Sequence, residues 1–227
     1  MSSQNVLITG ASGGLGTAIA SSFGERGAHV TLCARSKADL SETADLVQER
    51  GGEVTIAPVD VRDENQVSIV FTDIAPKRID IIFAAAGINT APPREAPLTE
   101  ESYDDFDDII NTNVRGLFTT LREGIRSMPE DGRVIVPSGK IAREPTSGMG
   151  AYAVSKAAAE GVVRGFAADA EQTVGIVYPG FVATELTYGK GRDPSSVSEL
   201  FIWAATECPD NQINGNVVTL GDWKSNQ

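Results

Sequence analysis

Tyr152 and Lys156 stand four residues apart in Tyr152-Ala153-Val154-Ser155-Lys156, inside a stretch of helical pattern, so both side chains project from one face. A tyrosine hydroxyl with an unperturbed pKa of about 10 is a poor base near neutrality. A lysine ammonium beside it favours the phenolate and lowers that pKa, letting the hydroxyl exchange a proton with a substrate oxygen. The same spacing on a solvated surface would be an idle pair, so the surrounding sequence has to decide.

The rest of the inventory narrows the chemistry. A single histidine, His29, removes every mechanism that needs a histidine pair. Cys33 and Cys208 are too few for a disulfide framework or a four-cysteine zinc site, and Cys33 lies in an apolar run, as a small buried hydrophobe does. Glu100, Glu101, Asp104, Asp105, Asp107 and Asp108 crowd one segment. Carboxylates in the first turns of a helix are favoured by its dipole, with Thr99 as the N-cap, so no metal site is expected. Lys and Arg total 19 against 31 Asp and Glu, a net charge of −12 over 227 residues. That balance opposes a sequence-independent grip on nucleic acid and a polybasic membrane-surface role.

A second chemistry-bearing segment is Thr9-Gly10-Ala11-Ser12-Gly13-Gly14-Leu15-Gly16, between an apolar strand pattern and a helical one. In that context Gly10 permits a tight turn, and Gly14 and Gly16 let the backbone approach a pyrophosphate. The helix N-terminus supplies free N–H groups and partial positive charge.

Both segments need a scaffold. Val6–Thr9, Val30–Ala34, Val54–Pro58, Ile79–Ala84, Val134–Val136, Val174–Tyr178 and Val217–Leu220 read as strands, mostly continuous apolar runs buried on both faces. Helical patterns lie between them at about 15–26, 37–50, 63–75, 100–127, 150–171 and 195–206. The alternation predicts an α/β fold, a Rossmann-like doubly wound domain: a mostly parallel seven-stranded sheet with helices on both faces, single over residues 1–227. Small residues on all sides of 150–171 predict a helix covered twice, by the sheet and by another subunit. A homodimer or homotetramer through the helices around 100–127 and 150–171 is expected. Met1-Ser2-Ser3-Gln4-Asn5 lacks a signal peptide's basic and long apolar regions, and no apolar run reaches the roughly 18–20 residues of a membrane span, so a cytoplasmic setting is expected.

The glycine spacing fits T-G-x-x-x-G-x-G, and with Tyr152 and Lys156 it resembles the classical short-chain dehydrogenase/reductase family over nearly the full chain. It also fits the T-G-x-x-G-x-x-G of the extended, epimerase-like branch, but the chain has no room for that branch's substrate domain. The resemblance implies an oxidoreductase that transfers hydride between a nicotinamide cofactor and a carbonyl or secondary alcohol substrate. Tyr152 would be the acid/base, with Lys156 tuning it and binding ribose. Gly10, Ser12, Gly14, Leu15 and Gly16 would surround the pyrophosphate, and the backbone near Ala86 and Gly87 would pass the cofactor. Asp60 would accept from the adenine amino group beside the Val61 amide; a strand-end aspartate is otherwise a helix N-cap, a role Asp63 can take. Pro179-Gly180-Phe181-Val182-Ala183-Thr184 resembles the family's P-G-x-x-x-T, whose Val182 backbone and Thr184 hydroxyl would hold the nicotinamide carboxamide. Asn113 matches the asparagine that holds a relay water for Lys156, and the following Val-x-Gly selects it over Asn111. At the end of the second strand, where an acidic residue would select NAD, stand Arg35 and Ser36. A guanidinium fork and a hydroxyl suit a 2′-phosphate, so NADP(H) is favoured over NAD(H).

Three departures stand out. The family's N-N-A-G is Ala84-Ala85-Ala86-Gly87, without either asparagine. The catalytic serine's commonest spacing, thirteen residues before Tyr152, falls on Gly139, and Ser138 lies one residue earlier. Ser138 is favoured as the group that positions the carbonyl, because loop length changes at small free-energy cost. After Thr184 only about 30 residues precede Asn214, which shortens the substrate lid to about 185–200 and suggests an open pocket, a bulky or carrier-borne substrate, or cover by Met149, Phe181, Tyr188 or a neighbouring subunit. The family's D-G-G is also replaced, by Leu220-Gly221-Asp222-Trp223. These departures keep open an alternative, a catalytically weakened NADP(H)-binding regulatory or scaffold protein. An epimerase or dehydratase is disfavoured by the lack of a second domain.

Overall fold

Short runs of β-branched and aliphatic residues build seven strands: β1 (Asn5–Thr9), β2 (His29–Ala34), β3 (Glu53–Pro58), β4 (Ile81–Ala84), β5 (Arg133–Pro137), β6 (Thr173–Tyr178) and β7 (Val217–Thr219). The computed structural model describes residues 4–144 and 146–227; Met1–Ser3, part of the leader reading above, and Pro145 lie outside the described residues. All strand pairings are parallel, and the order is β3-β2-β1-β4-β5-β6-β7. The order reverses between β1 and β4, which opens a crevice at their carboxyl ends, with Thr9 paired to both Cys33 and Ala84 there.

Helices cover both faces: α1 (Gly14–Gly24), α2 (Ser41–Glu49), α3 (Glu64–Ile69), α4 (Tyr103–Ile110), α5 (Gly116–Gly124), α6 (Gly150–Asp169), α7 (Ser198–Thr206), α8 (Asp210–Ile213) and α9 (Leu220–Ser225). Alternate residues of the buried strands serve opposite layers, as a period of two requires. Ile8 and Phe83 pack with Ile19, Phe23 and Phe201, whereas Leu7 and Ile82 pack with Phe71, Leu121 and Val163. The rings of Phe23 and Phe83 lie 5.5 Å apart, and those of Phe83 and Phe201 6.3 Å.

Several expectations shift. The fourth strand starts at Ile81 rather than Ile79. The seventh ends at Thr219, and Leu220 opens α9, because Thr219 and Asp222 form a capping box. Ser102, not Thr99, caps α4: its hydroxyl accepts the Asp105 amide at 3.0 Å. The helical span expected at 100–127 runs from Tyr103 through α4, a π turn at Asn111–Arg115, and α5. Asp63 caps α3 by accepting from the Asn65 and Gln66 amides. Among the described residues no helix is long and apolar enough to cross a membrane, and none of the acidic clusters forms a group that could hold a metal ion.

Candidate active site

The glycine turn leaves β1 at the crevice and opens α1. No side chain caps α1, and no acidic residue occupies its first turn, which leaves its N-terminus electrostatically suited to an anion. A side chain at Gly16 would overlap the Gly10 carbonyl oxygen, which explains the glycine there.

The helix carrying Tyr152 and Lys156 is held at its start by one member of the acidic cluster. Glu101 Oε2 accepts the Ala151 amide at 2.8 Å. Gly150, with φ of 47°, makes the left-handed step into α6 beneath that carboxylate. Tyr152 and Lys156 are both half-buried, with the Lys156 ammonium 5.6 Å from the Tyr152 ring centroid. Lys156 Nζ donates to the Pro137 carbonyl oxygen at 3.1 Å. Burial pushes the Tyr152 hydroxyl up to about 12 and pulls Lys156 down to about 8, against an opposing pull from the Glu160 charge. The expected lowering of the Tyr152 pKa is therefore reversed in the protein alone, because desolvation of the phenolate dominates.

Asn113 lies in the π turn, an arrangement frequent at functional sites. It is buried, and its side chain accepts the Ile88 amide at 2.7 Å while donating to the Ile88 carbonyl at 2.9 Å and to Ser155 Oγ at 3.0 Å. Both of its amide protons are committed to protein partners. A side chain thus braces the segment after β4, where Ala84–Gly87 lacks the family's asparagines.

Ser138 follows β5 and is held by its amide to the Val177 carbonyl at 2.9 Å. Its hydroxyl donates to Glu160 Oε1 at 3.1 Å. Glu160 also receives the Tyr178 hydroxyl on Oε1 at 2.5 Å and Arg143 Nε on Oε2 at 2.8 Å. Desolvation, and then its hydrogen bond to this carboxylate, hold the Tyr178 hydroxyl well above its ordinary pKa. The sequence reading missed Glu160 and Tyr178. Tyr152, Lys156 and Glu160 follow a strict four-residue spacing, which was the available signal.

One cavity of about 870 Å³ joins these parts. Gly10, Ser12, Gly14, Leu15, Gly16, Gly87, Ser138, Tyr152, Lys156, Pro179, Gly180, Val182 and Thr184 all line it, and so does Gly139. Ala85 rather than Ala86 contributes to the wall; the Ala86 amide turns back to Thr9 Oγ1 at 3.2 Å. Asn113 stands behind the lining, and Arg35, Ser36, Asp60 and Val61 lie outside it, as residues at the ends of β2 and β3 would. Arg35 is exposed. The Arg62 guanidinium grips the Asp60 carboxylate at 2.7 Å and holds its pKa below the usual range. The adenine contact expected of Asp60 would therefore be shared with Arg62.

The segment after Thr184 folds back on itself. Thr184 and Thr187 cap a single 3-10 turn, Ala183 pairs with Arg192, and Asn89 Nδ2 donates to the Leu186 carbonyl at 3.2 Å. Met149, Phe181 and Leu186 cover the cavity; Tyr188 is not part of its wall.

Known proteins resemble this chain in sequence and fold. The sequence model of the short chain dehydrogenase family matches residues 4–194. The chain is 33% identical to the cyclic-di-GMP-binding biofilm dispersal mediator protein of Escherichia coli, with 83% of this chain and 77% of that protein covered. It is 32% identical to gluconate 5-dehydrogenase of Gluconobacter oxydans, with 82% and 74% covered. A short chain dehydrogenase from Burkholderia cenocepacia, solved in complex with NADP, superposes with a TM-score of 0.82 at 27% identity, covering 95% of each chain. On its fold, its site and these matches, the chain belongs to the short-chain dehydrogenase family of oxidoreductases, in the classical single-domain form.

Proposed function

We propose that the protein is an NADP(H)-dependent oxidoreductase that interconverts a carbonyl compound and a secondary alcohol. The observation that carries this reading is the single cavity lined at once by the glycine turn, Tyr152, Lys156 and the Pro179–Thr184 loop. The residues present fit a dinucleotide: uncapped α1 amides follow a glycine-rich turn in which a side chain at Gly16 would overlap the Gly10 carbonyl, and Arg35 offers a guanidinium at the end of β2. The NADP in the Burkholderia cenocepacia relative supports the same choice. When bound, the cofactor supplies or accepts the hydride at the carbonyl carbon.

The chain's own residues handle the proton and the position. Tyr152, protonated well past neutrality, gives its proton to the substrate oxygen as negative charge develops there, and takes it back in the oxidative direction. Lys156 is charged below about pH 8, and its grip on the Pro137 carbonyl holds the ammonium close to the Tyr152 ring. Asn113 braces the wall after β4, and Ser138 lines the same cavity as Tyr152 and Lys156. Met149, Phe181 and Leu186 favour a substrate with an apolar body. Two buried free thiols, Cys33 and Cys208, suit a reducing, cytoplasmic setting. Exposed Phe118 and Val154 on α5 and α6 support assembly into a homodimer or homotetramer.

The test is NADPH consumption across a panel of aldehydes and ketones, with Tyr152→Phe as the control. Tyr152→Phe should lower turnover by about 10³-fold or more and leave NADPH binding intact. Substantial residual turnover would remove Tyr152 from its role. A second reading, a cofactor-binding regulator with weakened chemistry, draws on the Escherichia coli relative's name and on the missing asparagines of Ala84–Gly87. Tight NADPH binding with no turnover across the panel would favour it.

A further inference from the structure

Glu160 has no part in the reading above, yet it is the most deeply buried carboxylate beside the cavity, at 2% exposure. It lies one turn beyond Lys156 and two beyond Tyr152 on α6, so the three side chains follow one another along one face. A carboxylate removed from water needs partners, and these come from separate parts of the chain. Ser138 follows β5, Arg143 lies in the next loop, Tyr178 ends β6, and Arg164 Nη1 approaches from α6 at 3.6 Å. Two of the four, Ser138 and Tyr178, also line the cavity.

The donor count is decisive. An ionised carboxylate only accepts, and a serine hydroxyl has one proton. Ser138 gives that proton to Glu160 and so turns only lone pairs toward the cavity, which suits a substrate hydroxyl rather than the carbonyl oxygen expected of it from the sequence. We infer that Glu160 is a positioning residue of the active site: it fixes Ser138 as a hydrogen-bond acceptor and keeps a negative charge one turn beyond the Lys156 ammonium. The charged and titratable groups around the pair are Tyr152 and Arg164 on α6, Arg143 and Glu144 after β5, and Tyr178 on β6. Arg143 and Arg164 meet Oε2, whereas Ser138 and Tyr178 meet Oε1.

Glu160→Gln tests both halves. A glutamine has one acceptor oxygen, so it cannot serve the Arg143 side and the Ser138 side together, and it carries no charge. The Lys156 side chain, followed by NMR of ¹³C-labelled lysine in the full chain, should titrate at a pH lower by about half a unit or more in Glu160→Gln. This readout needs no turnover. The inference rests on the oxidoreductase reading only for its kinetic arm. There, Ser138→Ala and Glu160→Gln should each lower kcat/KM by about 10-fold or more, with the double variant within about 2-fold of the worse single and NADPH affinity unchanged. If Glu160→Gln does not fold, Glu160→Asp keeps the charge but withdraws the acceptor, and should lower kcat/KM in the Ser138 protein but not in Ser138→Ala. An unmoved Lys156 titration, or losses that multiply in the double variant, would overturn the inference. A wild-type protein with no turnover would count against the oxidoreductase reading, while the Lys156 titration would still decide for or against Glu160.

Discussion

Asn113 and Ile88 pair through both polar groups of one backbone residue: the Asn113 side chain takes the Ile88 amide at 2.7 Å and gives to its carbonyl at 2.9 Å. The pairing copies a sheet ladder with a side chain. It anchors the segment leaving β4 to the π turn between α4 and α5, directly behind the cavity.

Asn113→Ala should therefore act on stability as well as on turnover. It strands the part-buried N–H and C=O of Ile88, a destabilisation of about 1–3 kcal/mol. Asn113→Asp can still accept from the Ile88 amide but cannot donate to the carbonyl, so it should fall between. Chemical denaturation of the three proteins gives the order; equal stability for all would show that the pairing contributes nothing.

The pH dependence follows from burial. Lys156 titrates near 8 and Tyr152 near 12, so reductive kcat/KM should fall as pH rises through about 8, with the tyrosine proton still in place. Stability runs with opposite signs for the two groups. The folded value of Lys156 lies below its ordinary 10.5, so the folded chain binds fewer protons there, and this group's contribution to stability rises between about pH 8 and 10.5. The folded value of Tyr152 lies above its ordinary 10.0, so its contribution is whole below that pH and is lost as pH climbs toward 12. A pH profile of reduction with saturating NADPH checks the first statement: a flat profile from pH 6 to about 9 would contradict it.

The proposed preference for NADPH rests on Arg35. Arg35→Ala should weaken NADPH by about 30-fold and NADH by less than about 3-fold, because only NADPH carries the 2′-phosphate. Fluorescence titration with each nucleotide measures the ratio. Equal losses would move the phosphate contact elsewhere.

Phe118 is 46% exposed although its ring packs 5.8 Å from that of Phe166, and Val154 is 36% exposed. If these faces meet a second subunit, Phe118→Glu and Val154→Glu should each convert the native oligomer to monomer in light scattering, because an unpaired carboxylate in an apolar interface is strongly disfavoured. An unchanged mass would assign assembly to another face.

Local rules carried much of this protein. Nearly continuous apolar runs placed the strands to within two residues, because a strand buried on both faces leaves that mark in any environment. The glycine turn and the Tyr152–Lys156 spacing were legible because both depend on a few consecutive bonds or on one helical turn. Leu220 was misread because its apolar side chain suits either element, and only the Thr219–Asp222 box decides for the helix.

Contacts between distant segments set the rest. Ile88 and Asn113 are 25 residues apart, and Ser138 and Glu160 are 22, so nothing in the chain announces that they meet. Burial depends on what the whole fold stacks above a group. The Tyr152–Lys156 spacing alone suggested a phenol made acidic by its neighbour. The packed sheet and α6 instead desolvate both groups, leaving a phenol that holds its proton and an amine that gives its own up easily. The sequence by itself singled out Tyr152 and Lys156 as the groups proposed to do the chemistry; the tertiary structure decided their protonation, because solvent exclusion is a property of the assembled fold.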